Sequence, residues 1–323
     1  MPVATAAVPS DYSLPFHEAE FANHAAKRRD HHAFREILMF HRRHGGNFGR
    51  LVTVGNITER HLAPSMLDAF ESVISVRPDY IHTQWHTNPT PARGISFVQG
   101  WPEQLPETIK PDSTDLVICL SPSDWTDSYR TIDEMARILQ PGGSLAIMHQ
   151  NARPQICHPA EAKEEFDDLL DFLFTTTWTE AQADEDLFDE VLRSFRLDDS
   201  RLANIHFPKT LFERQSRSRW TGERKETRSR QTILPGLSLA QDRLHPDCLD
   251  IVHRDVAGCT QKFTFEAFCS LLDDFEVVQD HRRDRDFMAQ YHEKLLEVGG
   301  VVGDEGLVLR WDSTVLMARK TVS

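Results

Sequence analysis

Five short, largely apolar runs, at residues 51–54, 73–76, 95–98, 116–120 and 144–148, punctuate the first half of the chain. Between several of them lie stretches of helical periodicity, at about 18–40, 61–70 and 128–139, the last of which is stopped by Pro141-Gly142-Gly143. Four or five consecutive apolar residues suit a strand buried on both faces, and strands joined by helical crossovers pair in parallel. The alternation therefore predicts an α/β fold with a mainly parallel sheet covered by helices on both sides.

Beyond Asn151 the pattern changes. Two acidic amphipathic stretches, 160–174 and 180–195, precede a charged and poorly patterned region reaching about Gln261. This region is expected to be a helical insertion or cap. After a helix over 263–272, residues 275–278 and then 307–311 running into 314–318 are expected to supply the last two strands. The expected division is 1–153 for an N-terminal helix and α/β core, 154–261 for the insertion, and 262–323 for the elements completing the sheet.

With 323 residues and a formal charge of -14, the chain can bury a full core but repels a phosphate backbone, so no nucleic-acid partner is expected. The one basic stretch runs from Arg214 through Arg217, Arg219, Arg224, Lys225 and Arg228 to Arg230. It is expected as a solvated loop balancing the acidic helices, with an anionic ligand as the alternative. Five widely spaced cysteines without a C-x-x-C pair argue against a disulfide framework and a zinc site. His41 and His44 have i, i+3 spacing, but Arg42 and Arg43 stand between them and no H-E-x-x-H motif occurs, so no metal is expected. No basic-apolar leader and no run of about 20 apolar residues is present, which predicts a cytoplasmic protein with no membrane span.

Three segments carry a family likeness: Gly100-Trp101-Pro102-Glu103-Gln104-Leu105-Pro106, then Asp115-Leu116-Val117-Ile118, then Met135-Ala136-Arg137-Ile138-Leu139-Gln140-Pro141-Gly142-Gly143-Ser144-Leu145-Ala146-Ile147. In order and spacing they resemble the class I S-adenosylmethionine-dependent methyltransferases over about residues 20–153. The chain is most similar to the group around trans-aconitate methyltransferase, in which a Trp follows the fourth strand as Trp125 does here. The resemblance implies a Rossmann-like fold with a seven-stranded sheet. It also implies a cofactor site at Thr53, Gly55, Ile57, Glu59 and Arg77, and there the chain departs from the family. The family's acidic residue at the first strand is Thr53, two of its turn glycines are Ile57 and Glu59, and the carboxylate that accepts both ribose hydroxyls is Arg77. A guanidinium has five donors and no acceptor. Near the adenine, a polar residue is replaced by Trp101.

A degenerate cofactor site is the resulting expectation, with no cofactor bound and S-adenosylmethionine only if the alternative holds. The cleft at the sheet's carboxyl edge would then serve a cofactor-independent cyclisation or isomerisation of an apolar metabolite, as in pericyclases on methyltransferase-like folds. The alternatives are a small-molecule O-methyltransferase with a divergent site and a non-catalytic partner subunit. Asp124 and His149 are the candidate catalytic residues, on the loops after the fourth and fifth strands. Trp101 and Trp125 are the candidate substrate-binding walls, and a small molecule is the expected partner.

Overall fold

The computed structural model describes residues 32–55, 68–77, 95–120, 125, 127–151, 153–183, 185–221, 243–254, 260–273, 276–303 and 306–322. In chain order the described elements open with α1 (32–43), β1 (Arg50–Val54), β2 (Ser72–Arg77), β3 (Ile95–Gln99), β4 (Thr114–Cys119), α2 (Ser128–Ile138) and β5 (Leu139–Gln150). They continue with β6 (Gln155–His158), α3 (Lys163–Ala181), α4 (Glu185–Ser200), β7 (Phe212–Trp220), β8 (Leu249–His253) and β9 (Thr260–Phe263). The chain closes with α5 (Phe265–Asp273), α6 (Glu276–Asp280), α7 (Arg285–Val302), β10 (Leu307–Arg310) and β11 (Ser313–Lys320).

An eight-stranded sheet runs in the order β3-β2-β1-β4-β5-β11-β7-β8. Strands β3, β2, β1, β4 and β5 pair in parallel, as the apolar runs predict. Along each strand the side chains alternate between faces; both faces of β1, β4 and β5 are buried, while β3 at the edge is partly exposed. Leu51, Val73, Leu116, Ile118 and Ala146 meet Phe34, Ile37 and Phe40 of α1 on one side. Val52, Val54, Val76, Val117, Leu145 and Ile147 meet Ile132, Met135 and Ile138 of α2 on the other. Helix α2 starts where the Asp127 carboxylate accepts the Tyr129 and Arg130 amides at 2.9 and 3.1 Å, satisfying two N–H groups that have no partner within the helix. Pro141-Gly142-Gly143 lies inside β5, where Gly142 takes φ +80° and the register against β4 jumps between Thr114 and Leu116.

The rest of the sheet differs from the sequence expectation in membership. β11 is antiparallel to both β5 and β7, and β8 adds an eighth strand parallel to β7. The place expected for residues 275–278 is taken by β7, from the stretch that reads as a basic loop. Residues 276–280 are instead helical, and Val277 and Val278 bury their side chains among α3, α5 and α7. A short apolar run does not distinguish a buried strand from a buried helical turn. β10 also leaves the main sheet and forms a three-stranded antiparallel sheet with β6 and β9.

Helices α3 to α7 and this small sheet share a separate core. Phe166, Leu170, Phe174 and Trp178 on one stripe of α3 meet Phe195 of α4, Phe268 of α5, Tyr291 and Leu295 of α7 and Leu309 of β10. The chain leaves the main sheet for this body at the carboxyl end of β5. It returns through Trp311 and Asp312 into β11, at that same edge. The helical body therefore joins the sheet at the edge where the parallel strands end. No described helix is long and apolar enough to cross a membrane.

Candidate functional site

In open parallel sheets ligands bind beyond the carboxyl ends of the strands, so the tips of β1 to β5 define the region to inspect. At the tip of β1, Gly55 has φ +110°. A side chain there would overlap the Leu120 carbonyl that follows β4. The Gly55 amide donates to Val76 O at 3.1 Å, and the Leu120 amide donates to Val54 O at 2.9 Å. The close approach of three strand ends is thus enough to require this glycine. Thr53 lies one turn of the pleat earlier, fully buried opposite Ser75 of β2 and Ile118 of β4. Ile57, Glu59 and most of the helix expected over 61–70 lie outside the described residues.

Arg77 is the last residue of β2 and only 2% exposed. Its guanidinium carbon sits 5.0 Å from the centre of the Phe97 ring on β3, within cation–π range. Its carbonyl accepts the Gly100 amide at 2.8 Å, which continues the β2–β3 pairing past the strand end. The next residue, Trp101, begins a tight turn closed by Gln104 N–H to Trp101 O at 3.0 Å, and its side chain is 52% exposed. Glu103 in that turn accepts the Asp127 amide at 3.2 Å and Glu134 of α2 accepts the Leu105 amide at 3.3 Å, so the segment carrying Trp101 is moored to the start of α2.

Trp125 lies two residues before the α2 cap. It is buried with Ile132, Ile147 and Leu145 as part of the core, and its indole N–H has no hydrogen-bond partner among the described residues. His149 is placed differently from expectation: it is a buried residue inside β5, opposite Thr314 of β11, and not on a loop after the strand. The strand runs longer than its apolar core because β11 extends the pairing to Gln150. Alternation puts His149 on the face of Leu145 and Ile147, the same side as Trp125. Asp124 lies outside the described residues, and the carboxylate that caps α2 is Asp127. Cys119 at the end of β4 is buried, and burial pushes its thiol well above the ordinary range, which leaves it a poor nucleophile.

One charged cluster at this edge has no sequence signature. Asp312, between β10 and β11, is 5% exposed; its carboxylate accepts from Arg201 at 3.0 Å and from the Thr221 hydroxyl at 2.8 Å, with Arg310 Nε 3.9 Å away. Its backbone carbonyl accepts the Asn151 amide at 2.8 Å. The ends of β5 and β7, the segment after α4 and the start of β11 are joined there.

The basic stretch is not a solvated loop over its described part. Arg217 and Arg219 of β7 each make a two-point contact with the Asp250 carboxylate of β8, at 2.7 to 3.1 Å, and Arg319 pairs with Glu213 at 2.8 Å. Residues 222–230 lie outside the described set. At the opposite edge of the sheet His41 is fully buried. Its Nε2 faces the Asn47 carbonyl at 2.6 Å, and so must donate, and its Nδ1 faces the Ser144 hydroxyl at 2.9 Å. Both ring nitrogens are thereby engaged, and neither is left for a metal.

The strand order β3-β2-β1-β4-β5 followed by an antiparallel strand inserted before the next parallel one carries the assignment. This is a class I methyltransferase fold. Residues 53–147 match the family model described as a methyltransferase domain. Among solved structures the methyltransferase fold here is similar to a candidate type II methyltransferase from Anaeromyxobacter dehalogenans, at 15% identity and a TM-score of 0.50, covering 87% of this chain and 95% of that one. A candidate methyltransferase from Bacillus halodurans matches at 12% identity and a TM-score of 0.39, covering 89% and 99%. A candidate sarcosine dimethylglycine methyltransferase from Galdieria sulphuraria matches at 12% identity and a TM-score of 0.38, covering 90% and 84%. At 15% identity the first of these speaks to the fold and not to the substrate. No curated protein matches in sequence.

Proposed function

We propose that this protein is a tailoring enzyme of natural-product metabolism, acting in the cytoplasm, that has given up methyl transfer. On this reading it catalyses a cofactor-independent cyclisation or isomerisation of an apolar small molecule. The observation that carries the reading is Arg77. Proteins of this fold generally bind S-adenosylmethionine, and the ribose hydroxyls need an acceptor at the tip of the second strand. Here that position holds a buried cation laid against Phe97, which offers donors only. Each charge-assisted hydrogen bond lost is worth about 1.5–3 kcal/mol, or roughly ten- to a hundredfold in affinity. The surviving Gly55 does not count against this, because the packing of β1 against Leu120 requires a glycine with or without a ligand. On this reading the residues at the tip of β2 do not fit the nucleoside.

Cyclisation needs a pocket that holds a flexible substrate in a reactive conformer and a donor where charge develops. Trp101, half exposed beside the β3 tip, is assigned the aromatic wall, and Trp125, whose ring packs in the core, is assigned a donor through its indole N–H. His149, on the Trp125 face of β5, is assigned the hydrogen-bond donor or acid/base role, with Asp124 orienting a polar group of the substrate. The test is calorimetric titration with S-adenosylmethionine and S-adenosylhomocysteine, followed by conversion assays on polyene and polyketide substrates without cofactor. Absence of nucleoside binding together with cofactor-free turnover is the expected result. Micromolar nucleoside binding would refute it. The methyltransferase-domain match over 53–147 favours a second reading, a small-molecule O-methyltransferase with a divergent site, and that outcome would establish it.

A further inference from the structure

Beside the packing of Val277, Val278 and Phe287 on α3, one histidine makes a polar contact between the α6–α7 corner and that helix. His281 Nδ1 lies 2.9 Å from the Val277 carbonyl of α6, and Nε2 lies 2.7 Å from a Glu180 carboxyl oxygen of α3. The ring packs on Phe287 of α7 with centroids 4.5 Å apart. A carbonyl oxygen only accepts, so Nδ1 carries a proton. The contact to Glu180 then needs a second proton, on Nε2 or on the carboxyl itself. With neither, two lone pairs face each other at hydrogen-bond distance. The geometry therefore holds one proton between His281 and Glu180, whichever atom carries it.

We propose that this pair is a one-proton clasp that fastens the α6–α7 corner to α3 and releases it as pH rises. The sign follows from the pair as a unit. At neutral and higher pH the closed form binds one proton more than the open form, so closure is favoured at low pH and weakens on alkalinisation. Burial pushes the Glu180 carboxyl above the ordinary carboxylate range, with His281 opposing and Asp280 adding to the shift, which is the same direction. Among the described residues, several other charged groups near the ring are engaged elsewhere. On α3, Asp171 is bound to Arg153; Arg282 donates to the Asp273 carbonyl at 3.3 Å; and Asp284 caps α7 through the Asp286 and Phe287 amides. Lys294 of α7 and Asp168 of α3 line the same groove, of about 670 Å3, which His281 and Glu180 border.

The test is amide hydrogen exchange of the full-length protein across about pH 5.5 to about pH 8.5, corrected for intrinsic rates, with Glu180→Gln alongside the native chain. A glutamine amide donates to Nε2 of a neutral imidazole without a titrating proton, so Glu180→Gln keeps the clasp closed at every pH. In the native protein, protection over residues 277–283 is expected to fall about tenfold across the range, while protection in β1 and β4 stays level. In Glu180→Gln the same amides should show no such fall. Level protection in the native protein, or an equal fall in both proteins, overturns the proposal. His281→Phe, which keeps the ring packing and removes both nitrogens, should show low protection at 277–283 throughout; protection equal to that of the closed native form would also overturn it.

Discussion

Replacing Asp312 tests whether the junction between the helical body and the sheet rests on one buried carboxylate. The side chain takes a charged hydrogen bond from Arg201 at 3.0 Å and a neutral one from Thr221 at 2.8 Å, and both the Arg201 and Asp312 side chains are largely buried. Removing one partner of a largely buried pair costs about 3–5 kcal/mol. Asp312→Asn preserves shape and an oxygen for Thr221, so it should sit near the lower end, about 3 kcal/mol. Asp312→Ala loses both bonds and belongs at about 5 kcal/mol. The assay is equilibrium urea unfolding, followed by tryptophan fluorescence, to which buried Trp311 beside the site contributes, and by far-ultraviolet circular dichroism. A double variant, Asp312→Leu with Arg201→Met, should be more stable than Asp312→Leu alone, because it leaves no charge between Arg201 and the carboxylate unpaired. A loss below about 1 kcal/mol in Asp312→Asn, on the scale of an exposed ion pair, would refute the reasoning.

Arg77→Asp restores an acceptor at the β2 tip; if Arg77 is what bars the nucleoside, S-adenosylhomocysteine affinity should rise by about ten- to a hundredfold per hydrogen bond, read by calorimetry on a variant whose melting curve shows it folded. Gly46→Ala should destabilise by about 1–3 kcal/mol in urea unfolding, since the added methyl overlaps the buried His41 ring. Burial lowers the His41 pKa from its ordinary 6.5, with the Asn47 contact and Asp115 opposing. The neutral ring is thus the folded form: its contribution is complete above that ordinary value and erodes as pH falls below it, and His41→Gln should flatten the slope of unfolding free energy against pH in the acid range. Asp250 is raised by partial burial but lowered more by Arg217 and Arg219, so its net shift is downward. Its stabilisation holds above the ordinary carboxyl value and is lost as pH falls through the depressed one, and Asp250→Asn should cost only about 1 kcal/mol, because the carboxylate is partly exposed.

The parts of the site legible in the sequence are those fixed by backbone position. Arg77 reads as the end of the second strand, and it is; Gly55 reads as a tight turn after the first, and its positive φ agrees. His149 reads as a loop residue after the fifth strand, but that strand is lengthened by pairing with Thr314, a residue 165 positions away that no local pattern announces. Trp125 reads as a candidate substrate wall, and its neighbours Ile132, Leu145 and Ile147 place its ring in the interior. Asp312 could not be found at all, since its partners Arg201 and Thr221 are 111 and 91 residues away.

By itself the sequence determined the parallel half of the sheet. Residues 51–54, 73–76, 95–98, 116–120 and 144–148 are apolar on both faces, and a strand buried on both sides has few other places to go. Only the tertiary structure decided the other half. β7 is rich in arginine and reads as a loop until Asp250 of β8 takes Arg217 and Arg219, and residues 276–280 become a helix because the core of α3, α5 and α7 accepts Val277 and Val278 in that form. Local composition specifies an element when burial depends on that element's own side chains. Where burial depends on a neutralising charge or a packing surface distant in the chain, the fold supplies the answer.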